Sequence, residues 1–109
     1  MFELFNIEKP EVVNVNDLDS LIGEIDLIDI REPHEFANGS IESAKNIPMS
    51  NLLDEPEKYL SKEETYYIMC QSGGRSRRTS KSLAKLGYNV IDVTGGVGSY
   101  VGTKKSGFK

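Results

Sequence analysis

Five short runs rich in β-branched and aromatic residues recur along this chain, and helix-compatible segments separate them. The runs are Val12-Val13-Asn14-Val15, Leu27-Ile28-Asp29-Ile30, a weak one at Asn46-Ile47, Tyr66-Tyr67-Ile68-Met69 and Val90-Ile91-Asp92-Val93. Most are too short for helices and too apolar for a sheet with one wetted face. Strands that alternate with helices predict an α/β fold, with a mostly parallel five-stranded sheet covered on both faces as three α/β/α layers. Ligands of such sheets bind beyond the carboxyl ends of the strands. That edge is where chemistry is expected.

The intervening segments carry their own punctuation. Asn16-Asp17 reads as an N-cap leading into a helix over Leu18 to Ile22, with Gly23 as its stop. Glu35 to Asn38 makes one turn that Gly39 ends. Asn51 to Leu60 reads as one or two helical pieces, with Pro56 in the first turn of the second. The strongest helix runs from Ser76 to Leu86, with Thr79, Leu83 and Leu86 along one face and Gly87 at the C′ position. Lys104 to Lys109 reads as a frayed, soluble end.

Composition narrows the class. A length of 109 residues predicts one domain spanning 1–109, with its core at about 12–100. Charged residues make up 28% and hydrophobic ones 38%, which argues against both a disordered chain and a membrane protein. Met1 to Phe5 carry no basic segment and no long apolar one, so no secretory signal is expected. A net charge of -4 disfavours nucleic acid and anionic membranes as partners. Cys70 is the one cysteine, which excludes an internal disulfide and a multi-thiolate zinc site. Neither metal nor cofactor is expected. A lone thiol fits a reducing compartment, and the cytoplasm is the expected location.

The fourth run leads directly into Cys70-Gln71-Ser72-Gly73-Gly74-Arg75, and the strongest helix follows. The two glycines permit positive φ and close backbone approach. Such a loop can turn successive N–H groups inward as an anion-binding nest, to which the helix adds its positive end. Arg75, Arg77 and Arg78 crowd the start of that helix, where the macrodipole disfavours cations. Local stability does not explain them, whereas an anionic thiolate or substrate does. Helix N-termini and nearby cations lower a thiol pKa from about 8.5 into the ~3.5–7.5 range. Alone, Cys70 reads as a small buried hydrophobe. In this setting it reads as a nucleophile.

The loop resembles the active-site loop of the rhodanese (sulfurtransferase) family, in which a cysteine, four intervening residues and often an arginine form a cradle. Leu27-Ile28-Asp29-Ile30-Arg31-Glu32-Pro33-His34-Glu35-Phe36, then Gly39, Ile41, Ala44, Asn46, Ile47 and Pro48, are similar to the family's upstream signature. Leu86-Gly87-Tyr88-Asn89-Val90 and Gly95-Gly96 are similar to its closing pattern. Three residues depart from the family: Ser40 where histidine is frequent, Ser43 where glycine is common, and Tyr100 where tryptophan is frequent.

The resemblance implies a sulfurtransferase working through a Cys70 persulfide, with Gln71, Ser72, Gly73, Gly74 and Arg75 binding the substrate. It implies small sulfur donors such as thiosulfate, and cyanide, a small thiol or a protein thiol as acceptor. Two other functions fit the same loop: a persulfide carrier or partner-docking module with little turnover, and a cysteine-dependent phosphatase or arsenate reductase. The phosphatase reading ranks last, because those enzymes place five residues between cysteine and arginine and this chain has four.

Other polar residues have two readings each. Asp29 and Arg31, at the carboxyl end of the second run, either orient the active loop or form a structural ion pair that fixes the next turn. Asp92 and Thr94 either line the same mouth or cap a turn. Arg77 and Arg78 either extend the positive field or form a solvated face. His34, the one histidine, reads as an exposed turn residue. Nothing in the sequence points to a general base for Cys70.

Overall fold

The structure, a computed structural model, describes residues 10–107. Met1 to Phe5, which bear on the signal expectation, and Phe108 and Lys109 lie outside the described residues. The strands are β1 (Glu11–Asn14), β2 (Asp26–Asp29), β3 (Ser40–Ile41), β4 (Lys45–Asn46), β5 (Thr65–Met69), β6 (Asn89–Thr94) and β7 (Lys105–Ser106). The helices are α1 (Pro33–Ala37), α2 (Met49–Asp54), α3 (Pro56–Tyr59), α4 (Gly74–Lys85) and α5 (Gly96–Ser99). Five strands pair in the order β1-β6-β5-β2-β4, every pair parallel, as the alternation predicts. β5 is therefore the middle strand, and Cys70 follows its last residue.

Alternation along the strands builds a core on each face of the sheet. Ile28, Ile68 and Val90 point to one side, where Leu52, Leu83 and Tyr88 cover them. Leu27, Met69 and Val93 point to the other, against Val15, Leu18 and Tyr100. Each layer removes large aliphatic side chains from water, at roughly 1.5–3 kcal/mol per fully buried residue. No helix among the described residues is long and apolar enough to cross a membrane.

Three local expectations are corrected. Leu18 to Ile22 form successive turns rather than a helix, with Ile22 N–H donating to the Leu18 carbonyl at 3.0 Å. The short 3₁₀ turn at Val15–Asp17 precedes these turns, and Gly23, at φ +93°, follows Ile22. Leu86 lies past α4 and is 52% exposed, while the buried stripe of α4 is Ser76, Thr79, Ser80, Leu83 and Ala84. Lys105 and Ser106 are not frayed: they pair antiparallel with Ile41 and Ser40. The Tyr100 hydroxyl, buried against Leu18 and its neighbours, accepts the Lys104 N–H at 2.7 Å and holds that segment in place.

Candidate active site

The carboxyl edge of the sheet collects Cys70 from β5, the Asp29–Arg31 segment from β2, and the loop from β6 into α5. Cys70 is 1% exposed. Its Sγ accepts the Gly73 N–H at 3.1 Å and the Ser76 N–H at 3.3 Å. Gly73 can aim its N–H inward because it takes φ +114°, in the left-handed region open to glycine. Burial pushes the Cys70 thiol up. The Ser76 hydroxyl and the N–H groups of Ser76, Gly73 and Ser72 outweigh burial, so the pKa lies below the ordinary cysteine value. A backbone nest at the head of a twelve-residue helix thus favours the thiolate.

The nest is clamped from behind. The Val97 N–H donates to the Cys70 carbonyl at 2.9 Å and the Gly98 N–H to the Gln71 carbonyl at 2.8 Å. This needs glycine at position 96: a Cβ there would collide with the Cys70 carbonyl oxygen and lie 2.5 Å from the Gln71 carbonyl carbon. From the front, Arg31 Nη1 donates to Gln71 Oε1 at 2.9 Å. The same guanidinium donates through Nη2 to Asp29 Oδ2 at 2.8 Å and to the Gly39 carbonyl at 2.7 Å. Asp29 is fully buried and also accepts the Ser40 hydroxyl at 2.7 Å. Arg31 thus touches Asp29, the Gly39 carbonyl after α1 and the Gln71 side chain of the loop. Ser40 satisfies the carboxylate in the place where the family often has histidine.

Arg75 is committed elsewhere. Its Nη1 and Nη2 meet Glu35 Oε1 and Oε2 at 3.0 and 3.1 Å, a bidentate pair joining the head of α4 to α1. Hydrogen bonding to Glu35 is the main cause raising the Arg75 pKa, with the Cys70 charge a lesser one. Arg77 and Arg78 are exposed on α4, and His34 is exposed on α1. Thr94 donates its hydroxyl to the Val13 carbonyl at 3.3 Å, tying β6 to β1. Asp92 caps no turn. It is 3% exposed on β6 opposite Ile68, and its Oδ1 has no hydrogen-bond partner among the described residues.

Sequence reasoning left Glu35, Ser76 and Gly98 without a role at the site. Glu35 stood inside the quoted signature, while Ser76 and Gly98 carry no local signal. A cavity of about 330 Å³ opens beside the loop, lined by Gln71, Arg31, Glu35, Gly98 and Tyr100 among others. Among the described residues no group of three His, Cys, Asp or Glu side chains is placed to hold a metal.

A thiolate nest at the carboxyl end of the middle strand of a parallel α/β sheet defines a class of proteins that handle sulfur or oxyanions at cysteine. The chain belongs to the rhodanese-like domain family, whose model matches residues 14–103. It is 37% identical over 82 residues to the Bacillus subtilis protein "Putative sulfurtransferase YtwF", covering 75% of this chain and 79% of that one. It is 28% identical over 79 residues to "Putative sulfur carrier protein YrkF" of the same organism, covering 72% of this chain but 42% of that longer protein. A rhodanese-related protein from Thermoplasma volcanium superposes with a TM-score of 0.74 at 38% identity, covering 83% of this chain and 89% of that one.

Proposed function

We propose that the protein is a sulfurtransferase that holds sulfane sulfur as a persulfide on Cys70. The observation that carries the reading is the convergence of the Gly73 and Ser76 N–H groups on Cys70 Sγ, at 3.1 and 3.3 Å. The Cys70 thiolate attacks the outer sulfur of a donor such as thiosulfate. The donor's sulfur–sulfur bond breaks, and sulfite leaves with the bonding pair. Gln71, Ser72, Gly73 and Gly74 supply the backbone that stabilises the charged outer sulfur, with Arg75 at the rim. An acceptor (cyanide, a small thiol or a protein thiol) then attacks that sulfur, and the Cys70 thiolate departs. The free thiol suits a reducing compartment, and the cytoplasm is the proposed location.

The carrier reading stands second. With one cysteine in the chain, the persulfide has no internal thiol to receive its sulfur. The relative YrkF is named as a sulfur carrier. The phosphatase reading finds less support, since the arginine such a loop needs for phosphate is already paired with Glu35.

Steady-state transfer from thiosulfate to cyanide tests the reading. Wild type should turn over many times per molecule, and folded Cys70→Ser should give only background. One sulfur delivered per molecule without further turnover supports the carrier. Equal transfer by Cys70→Ser overturns both.

A further inference from the structure

The side chain of Gln71, next in the chain to Cys70, has a fixed orientation that the sulfur-transfer scheme does not use. Arg31 Nη1 donates to Gln71 Oε1 at 2.9 Å. A guanidinium carries donors only, so the amide oxygen faces Arg31 and the Nε2 group faces away from it. Arg31 is itself locked. It is 3% exposed, its Nε donates to Asp29 Oδ1 at 3.0 Å, and its Nη2 donates to Asp29 Oδ2 at 2.8 Å and to the Gly39 carbonyl at 2.7 Å. A buried carboxylate on β2 thus sets the attitude of an exposed amide on the loop.

Gly98 of α5 gives that amide its place. A Cβ at position 98 would lie 2.8 Å from Gln71 Nε2 and 3.0 Å from the Gln71 carbonyl oxygen. With no side chain there, the Nε2 group lies against Gly98 at the wall of the cavity of about 330 Å³. Its N–H bonds meet no acceptor among the described residues.

The charged side chains at this wall are already engaged. Glu35 holds Arg75, Arg31 holds Asp29, and Lys105 has a partner too. The side-chain groups left open to a ligand are two neutral amides, those of Gln71 and of Asn38 at the end of α1. Neutral amides complement another amide, whose carbonyl accepts and whose N–H donates, better than they complement a small dianion. The volume falls in the range of small-molecule sites, and a thiosulfate ion would leave most of it empty.

We propose that the Gln71 side chain is a specificity-determining residue that selects a cysteinyl peptide as the sulfur acceptor, with Nε2 donating to a peptide carbonyl beside the cysteine. The peptide thiol loses its proton to solvent, and the thiolate attacks the outer sulfur of the Cys70 persulfide. The bond between the two persulfide sulfurs breaks. Cys70 leaves as a thiolate with the bonding pair, and the peptide departs as a persulfide. No outside oxidant or reductant enters. The inference rests on the proposed persulfide at Cys70.

Acceptor kinetics with uncharged thiols, and thiosulfate as donor, test the selection. N-acetylcysteine amide has a peptide carbonyl on each side of its cysteine, and 2-mercaptoethanol has none. The quantity read is the ratio of kcat/KM for the first thiol to that for the second. Comparing this ratio between wild type and variant cancels intrinsic thiol reactivity. Gln71→Met keeps the length and removes the donor, and should lower the ratio about three- to tenfold, the worth of one neutral hydrogen bond. Gln71→Glu keeps an oxygen for Arg31 and lacks the N–H groups, so it should lower the ratio at least as much. A ratio unchanged in both variants overturns the proposal. So does a larger loss for 3-mercaptopropionate than for the amide, which would assign the donor to a carboxylate.

A measurement on wild type with no sulfur moved separates this site from the proposed function. N-acetyl-S-methylcysteine amide cannot accept sulfur, yet it should shift the Gln71 side-chain amide resonances in nitrogen NMR, whereas 2-(methylthio)ethanol should not. A selective shift in a protein that forms no Cys70 persulfide would overturn the proposed function and leave the site standing. No shift in a protein that does transfer sulfur would overturn the site alone.

Discussion

Glu35 grips Arg75 with both carboxylate oxygens, at 3.0 and 3.1 Å, so the loop's arginine presents its fork to α1 rather than to the Cys70 sulfur. Glu35 Oε1 also accepts the Glu32 N–H at 2.9 Å, which anchors the carboxylate at the head of its own helix. Stabilisation of the thiolate is left to the backbone nest and Ser76. Arg75 instead staples the loop to α1.

This pairing has a pH signature. Hydrogen bonding to Arg75 is the main cause that holds the Glu35 carboxyl at about 2, against an ordinary 4.5. A carboxyl lowered on folding stabilises the native state above its unfolded pKa, and that contribution is lost as pH falls through the folded value. Both side chains keep some exposure, at 31% and 26%, so water screens the pair. Glu35→Gln should therefore be about 1 kcal/mol less stable than wild type near pH 7 and nearly equal to it near pH 2. Urea melts at the two pH values measure this. A deficit undiminished in acid would mean that packing, not charge, was lost.

The same substitution should change the response to a small anionic donor. Released from Glu35, Arg75 can turn its planar fork of donors to thiosulfate. Glu35→Gln should lower the thiosulfate KM about three- to tenfold with kcat little changed, an effect of about 0.7–1.4 kcal/mol in binding. Initial rates over a thiosulfate series provide the check, and a raised KM would mean Glu35 orients Arg75 for the donor instead of competing with it.

Gly96 should tolerate no side chain. A Cβ there meets the Cys70 carbonyl oxygen, with the Gln71 carbonyl oxygen at 2.5 Å, and the backbone takes φ +66°. Since those neighbours are backbone atoms, they cannot swing away. Gly96→Ala should cost more than about 3 kcal/mol of stability and displace the nest, so activity should fall further than the folded fraction does. Thermal melts alongside rate measurements separate the two effects.

Ser43 offers the opposite change. Among the described residues it is the one non-glycine with positive φ, at 74°, in the position where the family commonly has glycine. A left-handed serine is strained by roughly 1–2 kcal/mol, while glycine adds some freedom to the unfolded chain. Ser43→Gly should stabilise the protein by about 0.5–1 kcal/mol without altering sulfur transfer. A lower melting temperature would show that the serine side chain contributes more than its backbone strain removes.

What the sequence made legible is contiguous along the chain. The β5 run, the glycine loop and α4 follow one another, so the placement of Cys70 at a strand end before a helix could be read from local pattern alone. The parallel sheet was legible for the same reason, as a repeated alternation of short runs. Links across the chain were not: Arg75 to Glu35 and Arg31 to Gln71 each span 40 residues, and no periodicity encodes them. Leu18 to Ile22 has the capping and apolar content of a helix, yet it runs as successive turns with Leu18 fully buried. Lys105 and Ser106 looked like solvated tail because their order comes from pairing with Ser40 and Ile41. Asp92 reads as a turn cap in sequence, and only the sheet register sets it beside Ile68 of β5.

The central claim is that sulfur resides covalently on Cys70. Intact-protein mass spectrometry after incubation with thiosulfate tests it most directly, with cyanide added to a second portion. Wild type should gain the mass of one sulfur atom, lose it to cyanide, and yield the modified peptide containing Cys70, while folded Cys70→Ser gains nothing. A sulfur adduct of equal occupancy on Cys70→Ser, or a wild-type protein that takes up no sulfur from thiosulfate or from a small persulfide, would contradict the account.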